Sequence, residues 1–104
     1  MEAQITARHF EANAALRDYA SEKLKKLERY YDGIMEARVV LSEDGGPAAG
    51  KSAEIIVHVY QKTLSANSQG VSHEDAIDNC VKALRRQIKK YKAKLRSTDK
   101  DYMK

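Results

Sequence analysis

Ile77, Cys80, Val81, Leu84, Ile88, Tyr91 and Leu95 recur at spacings of three and four. That period belongs to one face of an α-helix. The stripe predicts a helix over residues 73–95, about 23 residues or roughly 35 Å long. A stripe of that length is stable only when something equally long covers it. The rest of the chain, 104 residues in all, must therefore supply a broad apolar surface. A chain of this size suits one domain and buries roughly two-thirds of its unfolded surface.

The cover is legible as strands. Ala3, Ile5 and Ala7 alternate with Gln4, Thr6 and Arg8 over residues 3–8. Met35, Ala37, Val39 and Leu41 do the same against Glu36, Arg38, Val40 and Ser42. A third alternation sets Ala53, Ile55, Val57 and Val59 inward, and its β-branched residues favour a strand. Residues 63–69 give a weaker fourth strand with Leu64 and Ala66 inward. Between the first two strands, Leu16, Ala20, Leu24, Leu27 and Tyr31 mark another helix over residues 14–32. Asn13 is its expected N-cap and Gly33 its expected left-handed stop. Ser72 with Asp75 resembles a capping box for the long helix. Asp44-Gly45-Gly46-Pro47-Ala48-Ala49-Gly50 is the one stretch dense in Gly and Pro, and reads as a flexible hairpin loop.

The order is strand, helix, three strands, helix. Each strand has one apolar side and each helix one apolar stripe. The expected fold is α+β, βαβββα, a four-stranded mixed sheet with two helices packed on one face. The first strand–helix–strand unit should be parallel and right-handed, and the later strands antiparallel. Residues 1–96 form the expected domain and residues 97–104 a short flexible polar tail. Residues 14–95 alone have the αβββα order of a double-stranded RNA-binding domain. An RRM would need βαββαβ and stacking aromatics, and a KH domain a Gly-x-x-Gly loop. Neither pattern occurs.

The net charge of +4 is unevenly spread. Residues 1–75 hold 9 Lys/Arg against 12 Asp/Glu, whereas residues 76–104 hold 10 against 3. Residues 82–96 contain eight cations and no acid. Arg86, Lys90 and Lys94 form one stripe at i, i+4, i+8, and Lys82, Arg85, Lys89, Lys92 and Arg96 the opposite flank, along about 21 Å of helix. Like charges at i, i+4 repel by a few tenths of a kcal/mol each. A solvated face would intersperse acids, as the first helix does with Glu22 and Glu28. Cations near a C-terminal dipole account for the last turn but not for four turns. An extended polyanion removes the repulsion and releases counterions. On the first helix Tyr19, Lys23, Lys26 and Tyr30 share one flank. Lys23 and Lys26 would widen the positive surface into a groove. Tyr19 and Tyr30 either stack on a base or ribose, or lean on the core with their hydroxyls in water.

Signals for chemistry are lacking. His9, His58 and His73 are scattered, and no Cys, Asp or Glu spacing suggests a metal site. Cys80 lies on the apolar stripe, where a core thiol is expected rather than a nucleophile. No phosphate-binding glycine loop or serine elbow occurs. We therefore expect a protein that is not an enzyme, with no cofactor and no small-molecule substrate. The apolar runs are too short for a membrane span, and residues 1–6 do not look like a signal peptide. A cytoplasmic protein is expected.

The sequence resembles the ribosome hibernation factors, a family that includes the ribosome-associated inhibitors and bears an older sigma-54 modulation label. The resemblance is carried by Ile5-Thr6, Ala15-Leu16-Arg17-Asp18-Tyr19, Lys23-Leu24, Lys26-Leu27-Glu28 and Tyr31-Asp32. It resumes at His58-Val59, Ser65-Ala66 and Ala76-Ile77-Asp78, and ends on Leu84-x-Arg86-Gln87-Ile88-x-Lys90-x-Lys92-x-Lys94. Where the family often has Asp and Tyr, this chain has Ser72 and Glu74. The resemblance implies the βαβββα fold. It also implies a site, the small-subunit channel where mRNA and tRNA anticodons lie, and inhibition of translation by occupancy under stress or in stationary phase. Lys23, Lys26, Arg86, Lys90, Lys92 and Lys94 match the family's basic pattern. Lys82, Arg85 and Lys89 add charge to it. The chain resembles the short form, which in the family acts with a separate ribosome-dimerising factor. A generic structured-RNA chaperone and a protein-binding transcription modulator are the alternatives.

Overall fold

The computed structural model describes the backbone of residues 2–43 and 50–102 and the side chains of residues 2–43 and 50–95. Its elements run β1 (Glu2–Arg8), α1 (Ala14–Tyr30), β2 (Glu36–Glu43), β3 (Lys51–Val59), β4 (Lys62–Gly70) and α2 (His73–Tyr102). The sheet order is β1-β2-β3-β4. β1 pairs parallel with β2, and the other pairs are antiparallel. This is the expected mixed βαβββα sheet. The expected glycine-rich loop lies, apart from Gly50, outside the described residues.

Alternation puts one residue of each strand into the same layer. Ile5 faces Val39, Val39 faces Ile55, and Ile55 faces Ala66 across the four strands. Val39, Leu41, Ile55 and Val57 are wholly buried there. Leu84 and Ile88 of α2 and Leu24 and Leu27 of α1 close the layer from above. α2 lies across β3 and β4, and α1 lies beside it toward β1.

The caps are local chemistry. The Asn13 Oδ1 accepts from the Leu16 N–H at 2.8 Å, which fixes the start of α1. Ser72 Oγ accepts from the Asp75 N–H at 3.1 Å and starts α2. Gly33, expected as a left-handed stop for α1, does not act as one: no described glycine has positive φ. The chain leaves the helix two residues earlier, at Tyr31, which is extended with φ −149° while its N–H still reaches the Leu27 carbonyl. The exit swings the Tyr31 ring edge-on to Tyr91, 6.0 Å between centroids. Gly33 is needed for another reason: a Cβ there would strike the Tyr31 ring.

Two further expectations are corrected. Met35, expected inward, is exposed, because β2 begins only at Glu36 and Ile34 takes the buried place. The helix expected over residues 73–95 continues to Tyr102. No Gly or Pro follows Gly70 to stop it.

Candidate nucleic-acid interface

α2 buries Ile77, Cys80, Leu84, Ile88 and Tyr91, and this phase decides where its cations go. Lys82, Arg85, Arg86, Lys89, Lys90 and Lys94 are exposed, and Lys92 is half-buried. The side chain of Arg96 lies outside the description. The cations divide into two groups with Arg86 on the ridge between them.

The first group meets α1. Lys23, Lys26 and Arg29 of α1 line a cleft of about 320 Å³ together with Arg85 of α2. Arg85 and Lys92 lie over the ring of Tyr30, 5.0 and 5.2 Å from its centroid, and Lys92 is 5.8 Å from that of Tyr31. Cations over aromatic faces are held in place by the ring quadrupole. Lys23 is held similarly, 5.3 Å from the Tyr19 ring, and pairs with Asp78 of α2 at 3.2 Å. The Tyr19 hydroxyl donates to the same Asp78 oxygen at 2.7 Å. That bond, with burial and the Asp78 charge behind it, pushes the Tyr19 phenol up to about 12. Burial alone would raise the Asp78 carboxyl, but the bonds from Tyr19 and Lys23 outweigh it and hold the group below its ordinary value. Both expected stacking residues thus have cations over their rings.

The second group lies on the other side of α2. Lys90 and Lys94 line a cleft of about 360 Å³ with Lys62 of β4. Gln87 Nε2 donates to the Ser65 carbonyl at 2.7 Å, and the Tyr91 hydroxyl to the Tyr60 carbonyl at 2.6 Å. Burial raises the Tyr91 phenol.

The sequence reading missed Arg29 and Lys62 as members of these clefts, and Asp78 as the partner of Lys23 and Tyr19. Arg29 was available as i+3 from Lys26. Lys62 gave no local signal, because its place depends on how β4 lies beside α2. His73 and Cys80 have structural partners. His73 is buried, stacks on Phe10 at 4.4 Å and contacts the Ser42 carbonyl through Nε2 at 3.0 Å. Cys80 donates to the Ala53 carbonyl at 3.3 Å, and burial pushes its thiol up to about 11. Among the described residues no group of three or more His, Cys, Asp or Glu could hold a metal, and no helix is long and apolar enough to cross a membrane.

A mixed four-stranded sheet, backed on one face by two helices whose cations line two clefts, defines a small α+β domain with a cationic helical face. The chain belongs to the sigma 54 modulation protein / S30EA ribosomal protein family, whose pattern matches residues 3–96. It is 32% identical over 96 residues to the ribosome hibernation promoting factor of Escherichia coli K12, covering 92% of this chain and 98% of that one. The Azotobacter vinelandii protein of the same name is 33% identical over 97 residues, covering 90% and 85%. The crystal structure of the Thermus thermophilus Protein Y N-terminal domain superposes with a TM-score of 0.76 at 34% identity, covering 88% of this chain and 99% of that one. A ribosomal subunit interface protein from Coxiella burnetii shares the fold, with a TM-score of 0.80 at 22% identity over 89% and 99%.

Proposed function

We propose that this protein is a cytoplasmic ribosome hibernation factor, not an enzyme. It binds rRNA of the small subunit in the mRNA and tRNA channel and stops translation by occlusion. The observation that carries this reading is the match along nearly the full length of relatives called ribosome hibernation promoting factors. The cationic helical face supports it physically, since a surface of this charge gains affinity from every phosphate neutralised. Lys23, Lys26, Lys82, Arg85, Arg86, Lys89, Lys90, Lys92 and Lys94 are the proposed contacts, and Arg29 joins them from the α1–α2 cleft. Arg86 on the ridge offers a planar fork for a phosphate.

The test is a sucrose gradient of stationary-phase lysate with a cell-free translation assay beside it. The protein should migrate with particles containing the small subunit, and the purified protein should inhibit translation in competition with mRNA and tRNA. Recovery on mixed RNA without intact subunits would instead indicate a general RNA chaperone. Association that survives nuclease would indicate a protein partner.

A further inference from the structure

The α2–β4 cleft and the α1–α2 cleft lie on opposite sides of one helix. Arg85 and Lys94 are nine positions apart, so they leave the helix about 180° from each other. A helix with its side chains is about 10–12 Å across. One sugar–phosphate chain seated against α1 therefore cannot reach the other cleft without climbing over the Arg86 ridge. We infer that the α2–β4 cleft is a second, separate site for an RNA phosphate backbone, with Lys62 as a contact residue, so that α2 sits wedged between two backbone segments. This rests on the RNA-binding reading above and adds a site to it.

The lining is selective. Lys62, Lys90 and Lys94 face the cleft, and among the described residues no carboxylate lines it. Other hollows of this surface are mixed in charge: the one on the open sheet face sets Glu54 near Arg8, and the one beside Phe10 holds Glu11, Glu43 and Glu74. The cleft is also held in shape. Lys62 pairs with Val59 and Leu64 with Val57. Lys62 therefore shares the helix-bearing side of β4 with buried Leu64. It follows directly on the Tyr60-Gln61 turn, where Gln61 takes the left-handed conformation at φ 61°. The Tyr91 hydroxyl holds that turn through the Tyr60 carbonyl, and Gln87 holds β4 through the Ser65 carbonyl. Two hydrogen bonds from α2 thus fix the strand that presents Lys62 opposite Lys90 and Lys94. A site already ordered before binding loses less entropy when it is filled.

The experiment uses the full chain and purified small ribosomal subunits, with affinity measured across a salt series. Lys62→Glu should weaken binding roughly tenfold, and Lys62→Ala should make the slope of log affinity against log salt shallower by about one. Lys62→Arg should bind like the parent, which separates charge from damage to the fold. Combined with Lys26→Ala, the fold losses should multiply, as they do for distant independent contacts. Binding of Lys62→Glu within about twofold of the parent, at an unchanged slope, overturns the second site. So do losses that fail to multiply, because they would place both lysines in one site. If the parent itself does not bind subunits, the hibernation reading fails on its own. The same variants on a synthetic RNA duplex then decide the cleft: Lys62→Glu must weaken that binding, and equal binding overturns the site.

Discussion

The Tyr19 hydroxyl and the Asp78 carboxylate meet at 2.7 Å across the seam between α1 and α2. Lys23 reaches the same oxygen at 3.2 Å. An acid placed at the edge of a cationic cleft weakens the cleft's pull on phosphate. Its position is explained by what it holds, one phenol and one ammonium from the neighbouring helix.

This pair makes a prediction in the alkaline range. A tyrosine whose phenol is pushed up to about 12, against an ordinary value near 10, stabilises the fold below its ordinary value. The contribution is lost as pH rises from about 10 through about 12. Asp78→Asn should bring one tyrosine back toward the ordinary range in an ultraviolet titration. A titration curve identical to the parent's would show that the bond does not form in solution. Asp78→Ala should cost about 1 kcal/mol, modest because the carboxylate is partly in water.

Leu84 of α2 is wholly buried against the sheet. Leu84→Ala should cost roughly 2–5 kcal/mol in urea unfolding. A loss below about 1 kcal/mol would mean that the helix sits in a different phase.

Replacing Arg86, Lys90 and Lys94 together with alanine should change the melting temperature little, because exposed charge contributes little to folding. The same variant should lose on the order of ten- to a thousandfold in affinity for the small subunit, at about 0.5–2 kcal/mol for each lost charged contact. A folded triple variant that inhibits cell-free translation like the parent would remove the basic helix from the mechanism.

Cys80 is buried, and its thiol is pushed up to about 11. It should resist a disulfide reagent at pH 8 in the native protein and react at once in denaturant, since the thiolate is the attacking form. Rapid labelling without denaturant would contradict the packing of α2 on β3.

Where the sequence spoke clearly, periodicity met burial. Leu24, Leu27, Val39, Val57, Leu84 and Ile88 were all expected inside, and all are. The Asn13 and Ser72 caps were legible because capping is a matter of a few adjacent residues. Gly33 misled because α1 ends at an extended Tyr31, whose ring meets the distant Tyr91 edge-on, so no left-handed residue closes the helix. Met35 misled because alternation cannot say where a strand begins. In the candidate interface, the stripes of α2 were readable residue by residue. Their division into two clefts was not, since it depends on α1 flanking one side of the helix and β4 the other. Lys62 and Asp78 acquired their places only through those contacts.

The strands lie in the sheet in the order in which they occur in the chain, and α2 comes last. During synthesis each new strand can add to the edge of the one before. Ile55, Val57 and Leu64 nonetheless stay uncovered until the final helix exists. A chain without α2 therefore has an open greasy face and only the α1 part of its cationic one, and it acquires its cover and most of its charge in the same step. A protein truncated after Ser72 should bind a hydrophobic dye and aggregate. A soluble, dye-silent fragment would show that the sheet closes without its last helix. For a molecule proposed to silence ribosomes, this order means that a nascent polypeptide that has not yet made α2 is not yet an inhibitor.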